Sequence, residues 1–184
     1  MTNKHFPEGI ILGKPGHERV IRLFKNTFSG LPGVPLHTST GSVGNVGGGE
    51  DNLKSFTIPA GLLTVAGDFI EFKATGHAAN TLGTKVIKFY IGATAVATIT
   101  CPQSTLLSWV SEGTIIREDA TTVHAHVRLF DANGTTGVLG TQWAEFHLDV
   151  TVDLTQSVVM KFTGTATADD DATQDVFLIK ATIQ

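Results

Sequence analysis

From Leu53 to the end, the chain is written in short runs that alternate apolar and polar side chains, cut apart by Gly, Pro, Asn and Asp. In D68-F-I-E-F-K-A-T75, Ile70, Phe72 and Ala74 share one face while Glu71, Lys73 and Thr75 share the other, since successive side chains of a strand project to opposite sides. T84-K-V-I-K-F-Y-I91 repeats the pattern. Further strands are predicted over 53–58, 94–100, 106–111, 113–118, 121–130, 144–152, 157–163 and 175–183. About eight to ten short strands, roughly 10–12 residues apart and without a long helical period, predict an all-β protein, an antiparallel β-sandwich of jelly-roll type.

Residues 1–50 differ. They hold no sustained period, and Pro7, Pro15, Pro32 and Pro35 break any long helix or central strand. The expectation is an extended N-terminal arm, with H17-E-R-V-I-R-L-F24 forming a strand or one or two helical turns. Ile10, Ile11, Leu12, Val20, Ile21, Leu23, Phe24 and Phe28 make this arm too apolar for a solvated tail, so they are the expected interface residues. The stretch G41-S-V-G-N-V-G-G-G49 lacks the Lys-Ser/Thr end of a phosphate-binding loop and precedes a strand instead of a helix, so it reads as a linker. The organisation expected is an anchoring arm and linker over 1–50 and a sandwich domain over 51–184.

Charge follows the same division. Residues 1–49 carry five Lys/Arg against two Glu, and the remainder eight against fifteen acids, within a net charge of −4. An acidic body lacks the extended basic face that nucleic acid requires, so no direct nucleic-acid partner is expected. A single cysteine, Cys101, excludes an internal disulfide framework, and no Cys/His spacing suggests structural zinc. No apolar run is long enough to span a membrane and the first residues lack an apolar signal segment, which points to synthesis and assembly in a cytoplasm without a membrane partner.

Few residues point to chemistry. His124 and His126 lie two apart on a predicted strand, with His147 on another, a candidate metal set; yet Val123, Ala125, Val127 and Leu129 form the apolar face, which leaves both histidines opposite the core. The glycine and proline spacing that frames the HxH pair of a cupin is missing. Solvent or a subunit interface is therefore the expectation for these histidines, with no cofactor and no metal. D131-A-N-G134 reads as a hairpin turn and D169-D-D171 as a solvated loop, although three adjacent carboxylates can bind Ca2+ weakly. Cys101 reads as a small buried hydrophobe, no nucleophile elbow occurs, and no catalytic residue is predicted. Trp109, Trp143 and Tyr90 can stack on sugars, but strand aromatics more often fill cores or interfaces.

N52-L-K-S-F-T-I-P-A-G-L-L63, then G67-D-F-I-E-F-K-A-T-G76, then N80-T-L-G-T-K-V-I-K-F-Y-I-G92 resemble a recurrent pattern in virion structural proteins of tailed bacteriophages. A strand ends in a Pro-Ala turn, the next ends in Gly, and a Lys-rich strand ends near Ile-Gly. The similarity covers about residues 52–130, and its motifs are structural, so it carries no active-site residue. It implies a sandwich of a capsid decoration protein, head fibre or tail appendage. The expected function is a non-enzymatic decoration or cement protein of the virion, a homotrimer assembled in the host bacterial cytoplasm, partnering the major capsid protein through its arm. The alternative is a tail-fibre module binding a receptor or glycan, and a third reading is a cupin-like metalloprotein.

Overall fold

The computed structural model describes residues 33–101, 107–133 and 139–184, with backbone alone at 34, 132–133 and 139–143. The arm residues named above, from Ile10 to Phe28, lie outside the described residues, as does the predicted element over 17–24. In chain order the strands are β1 (Val34–Ser39), β2 (Val43–Gly44), β3 (Glu50–Ile58), β4 (Phe69–Ala78), β5 (Lys85–Ile91), β6 (Thr94–Cys101), β7 (Leu107–Arg117), β8 (Thr122–Asn133), β9 (Leu139–Thr151), β10 (Val158–Thr165) and β11 (Ala172–Thr182). All pairings are antiparallel. The larger sheet has the order β1-β11-β4-β7-β8-β9, with β2 also on β11, and the smaller sheet is β3-β10-β5-β6. Two antiparallel sheets packed face to face make a β-sandwich. The finer jelly-roll expectation is not established by this strand order.

The alternation in sequence becomes alternation in burial. Ile70, Phe72, Ala74 and Ala78 of β4 face the core while Glu71 and Lys73 are exposed, and β5 buries Ile87, Phe89 and Ile91. Between the sheets, Phe72 stacks on Phe89 at 4.5 Å between ring centroids, and Phe162 lies 4.8 Å from Phe89 and 5.5 Å from both Trp109 and Phe177. Each such buried side chain stabilises by ~1.5–3 kcal/mol, with ~0.5–1.5 kcal/mol more for well-placed ring pairs.

Two departures from alternation make room for these rings. On the neighbouring strands β4 and β7, Gly76 pairs with Trp109 and Gly113 pairs with Phe72. A Cβ at Gly76 would come within 2.5 Å of the Trp109 ring and 2.0 Å of the Thr173 carbonyl oxygen. The missing side chain lets the indole lie flat on the backbone, where its Nε1 donates to Thr173 O at 2.9 Å. Gly113 likewise makes room for the Phe72 ring and the His126 carbonyl oxygen, and the runs predicted over 106–111 and 113–118 form one strand, β7.

Residues that the sequence assigned to arm and linker belong partly to the sheet. β1 pairs with β11 from Val34 to Ser39, opposite Ala181 to Phe177. The glycine-rich stretch is fastened through Asn45, which is fully buried. Its main-chain N donates to Ala172 O and its main-chain O accepts from Asp170 N, while Oδ1 accepts from Ala172 N and Nδ2 donates to Gly47 O and Ala168 O. A Cβ at Gly44 would sit 2.8 Å from the Asp170 backbone Cα, so any larger residue there must push this turn aside. The stretch is thus a docked loop, held against the turn before β11.

Candidate functional site

The clearest concentration of polar chemistry lies on the outer face of β8 and β9, the strands at one edge of the larger sheet. Val123, Ala125, Val127 and Leu129 are buried, as the sequence predicts, so His124 and His126 point outward. Antiparallel register then sets His126 opposite His147 and His124 opposite Asp149. The rings of His126 and His147 stack with centroids 4.2 Å apart and planes 14° from parallel. Glu145, two residues before His147 and on the same face, places Oε1 2.7 Å from His126 Nε2 and 3.4 Å from His147 Nε2. Arg128 Nε approaches the same oxygen at 3.3 Å. These contacts hold the Glu145 carboxyl below its ordinary value, the His126 hydrogen bond being the main cause and Arg128 adding to it.

The three histidines therefore divide. His126 and His147 share Glu145, whereas His124 directs Nδ1 at Asp149 Oδ1, 2.7 Å away, in a second group completed by Glu118. Both groups bring their ligand atoms within 4.8 Å of one another. Among the described residues, Asp169, Asp170 and Asp171 form no such group. Asp169 Oδ1 accepts from Gly47 N, Asp170 adopts a positive φ of 58°, and Asp171 is buried, so this loop is less solvated than the sequence suggests.

A second cluster has the composition of a nucleophile triad without its geometry. Ser42 Oγ donates to Asp175 Oδ1 at 2.5 Å, and His77 Nδ1 lies 3.2 Å from Asp175 Oδ2. The carboxylate stands between hydroxyl and imidazole, so in this arrangement the base cannot take the hydroxyl proton. Lys54 Nζ donates to Asp175 O at 2.7 Å and to Ser39 Oγ at 3.3 Å, closing the cluster as a structural clasp between sheets.

On the outer face of the smaller sheet, Glu50 accepts from Tyr90 OH and Thr163 Oγ1 at Oε1 and from Lys88 Nζ at Oε2. The Lys88 bond is the largest influence that lowers its carboxyl to about 2, against a smaller opposing effect of burial. A carboxylate so satisfied is a poor proton donor. Cys101 is fully buried, and burial pushes its thiol up to about 12, with Asp131 adding to the rise; it is an inert core side chain, as expected. Trp109 is committed to the core, and Tyr90 has its hydroxyl on Glu50 and Lys161 Nζ over its ring at 5.3 Å. The Trp143 side chain lies outside the described residues. A hollow of about 640 Å3 between β3, β10 and the turn before β10 is lined by Asn52, Ser55, Lys161 and Asp153. Asp153 spends Oδ1 on Thr155.

Glu145, Asp149 and Glu118 are the site residues that sequence reasoning missed. E145-F-H-L-D149 does place Glu145, His147 and Asp149 on one face of a strand, and that was the available signal. No known protein family matches the chain, and no relative is found among curated proteins.

Proposed function

We propose that this chain is a non-enzymatic structural protein of a tailed-bacteriophage virion, a capsid decoration or cement protein that assembles as a homotrimer and anchors through its N-terminal arm to the major capsid protein. The observation that carries the reading is where the arm meets the sandwich. Residues 1–32 lead into Gly33, whose N donates to Thr182 Oγ1, and the next residues form β1, an edge strand of the larger sheet among the described residues. An apolar segment delivered at a sheet rim is well placed to reach a neighbouring subunit, and burying its large side chains there adds interface area without covalent chemistry. The resemblance adds support, since its three segments coincide with β3, β4 and β5 and with the turns at Pro59-Ala60-Gly61 and Ile91-Gly92. No helix among the described residues is long and apolar enough to cross a membrane.

The alternative, a receptor- or glycan-binding tail module, draws less support, because Trp109 and Tyr90 are already engaged. The cupin-like reading draws less support too, because His124 and His126 lie opposite the buried Val123, Ala125, Val127 and Leu129 and face outward. The test is to locate the protein on phage particles by antibody labelling in electron micrographs, then to compare rebinding of full-length protein and a 33–184 truncation. Labelled heads with loss of rebinding on truncation support the proposal. Particles that carry no label, or rebinding undiminished by truncation, overturn it.

A further inference from the structure

We propose that His126, Glu145 and His147 form a binding site for a divalent ion of the zinc class on the open face of β8 and β9. Two imidazoles and one carboxylate meet there: Nε2 of His126 and of His147 lie 2.7 and 3.4 Å from Glu145 Oε1, and one ligand atom from each of the three residues lies within 4.8 Å of the others. Zinc bonds of ~2.0–2.2 Å in a tetrahedral arrangement require ligand atoms about 3.4 Å apart. One of the two nitrogen–oxygen distances already has that value. The other must open, and the two rings, stacked 4.2 Å apart and 14° from parallel, must turn about their side-chain torsions so that both in-plane lone pairs meet one ion; partial exposure leaves them room to do so, at 33%, 27% and 56% for His126, Glu145 and His147.

The donor set selects the class of ion. Two imidazoles with one carboxylate suit Zn2+, Co2+, Ni2+ or Cu2+, whereas Ca2+ and Mg2+ prefer oxygen alone. The neighbouring Glu118, His124 and Asp149 offer a single nitrogen and are the weaker competitor. Backbone register sets the three residues side by side, for His126 and His147 are direct cross-strand partners and Glu145 lies two residues before His147 on β9.

Two features limit affinity. Arg128 Nε shares Glu145 Oε1 and must yield it, since a guanidinium beside the ion repels it. Among the described residues no acceptor buttresses the second nitrogen of either histidine, and such partners are typically worth about 10–100-fold in affinity. The bound ion leaves a fourth position open to water and ties edge strand β9 to β8. This inference is independent of the virion reading and attributes no reaction to the site.

The experiment is calorimetric titration of the full, untagged chain with ZnCl2 in a non-chelating buffer, paired with Co2+ absorption spectra as a report of coordination geometry. One equivalent with a tetrahedral Co2+ spectrum is expected. His126→Asn, His147→Asn and Glu145→Gln should each weaken binding at least about tenfold, and His124→Asn should leave it within about twofold. Arg128→Gln should tighten it, an outcome that a merely structural role for these side chains does not produce. Affinity should fall on acidification, because protons compete for the imidazole lone pairs. Melting curves of the metal-free variants control for folding, with Glu145→Gln as the mildest change. Absence of uptake by the unaltered protein, uptake that survives His126→Asn with His147→Asn, or uptake abolished by His124→Asn alone would each overturn the proposal.

Discussion

At the scale of single residues, what holds the sandwich together is as much absent atoms as present ones. Gly76 exists so that Trp109 can cover it, and replacing it by alanine drives a methyl into a carbonyl oxygen and an indole at once. Gly76→Ala is expected to cost about 3 kcal/mol, read as a lowered urea midpoint, because neither backbone nor buried ring can yield cheaply. Gly49, with nothing within 4 Å of its missing Cβ, supplies the contrast: Gly49→Ala should stay within about 0.5 kcal/mol of the parent. Asn45 makes the complementary case. Its side chain meets one N–H and two carbonyls, so a carboxylate in place of the amide would face two acceptors with no proton to offer, in a loop that already holds Asp169, Asp170 and Asp171. Asn45→Asp is therefore expected to lose about 2–5 kcal/mol at neutral pH and to recover part of it in acid, where the new carboxyl protonates. A series of denaturant melts from pH 7 to pH 4 measures both.

At the scale of elements, β1 carries a histidine that couples its pairing to pH. His37 packs against Phe56 and Phe177 at 5.4 and 6.0 Å between ring centroids, and its buried Nε2 has no hydrogen-bond partner among the described residues. Burial, and then the charge of Lys54, lowers its pKa below 6.5. The unfolded chain thus takes up this proton more readily than the folded one. The stabilisation is complete above pH 6.5 and is lost as pH falls from there through the depressed folded value. His37→Phe, which keeps a ring and removes the titration, should flatten the drop in melting temperature between pH 7.5 and pH 5.5; an unchanged slope would exclude His37 as its source. β1 also shows where sequence reading falls short. V34-P-L-H-T-S39 has little alternation and contains Pro35, which argues against a central strand but is tolerated at an edge, here beside a register shift. Strands with one dry and one wet face, such as β4 and β5, were legible because their burial is written in the period itself. The histidine site was half legible: the outward direction of His124 and His126 follows from the apolar face of β8, but their partners depend on register. A two-residue turn at Asn133-Gly134 would set His126 opposite Thr141. The register shift between Phe130 and Ala132 and the longer connection between β8 and β9 bring His147 there instead.

At the scale of the whole molecule, the sandwich is closed by its last strand. β11 lies between β1 and β4, and beyond it Gln184 N donates to Asp68 Oδ1 at 2.8 Å, so the end of the chain completes the sheet that the arm leads into. The pairings that define both sheets, β3 with β10 and β4 with β11, join residues about a hundred positions apart, all of them within residues 50–182. Such a body should fold without residues 1–32. A 33–184 truncation is expected to keep the parent's far-ultraviolet spectrum and to melt within a few degrees of it, since Gly33 and β1 are retained. The full-length chain, carrying its apolar arm, should instead sediment as an oligomer while the truncation runs as a smaller species. The two readouts separate the possibilities: loss of the melting transition on truncation would mean that the arm belongs to the core of its own sandwich, and an unchanged sedimentation coefficient per mass would mean that assembly rests on the strand faces.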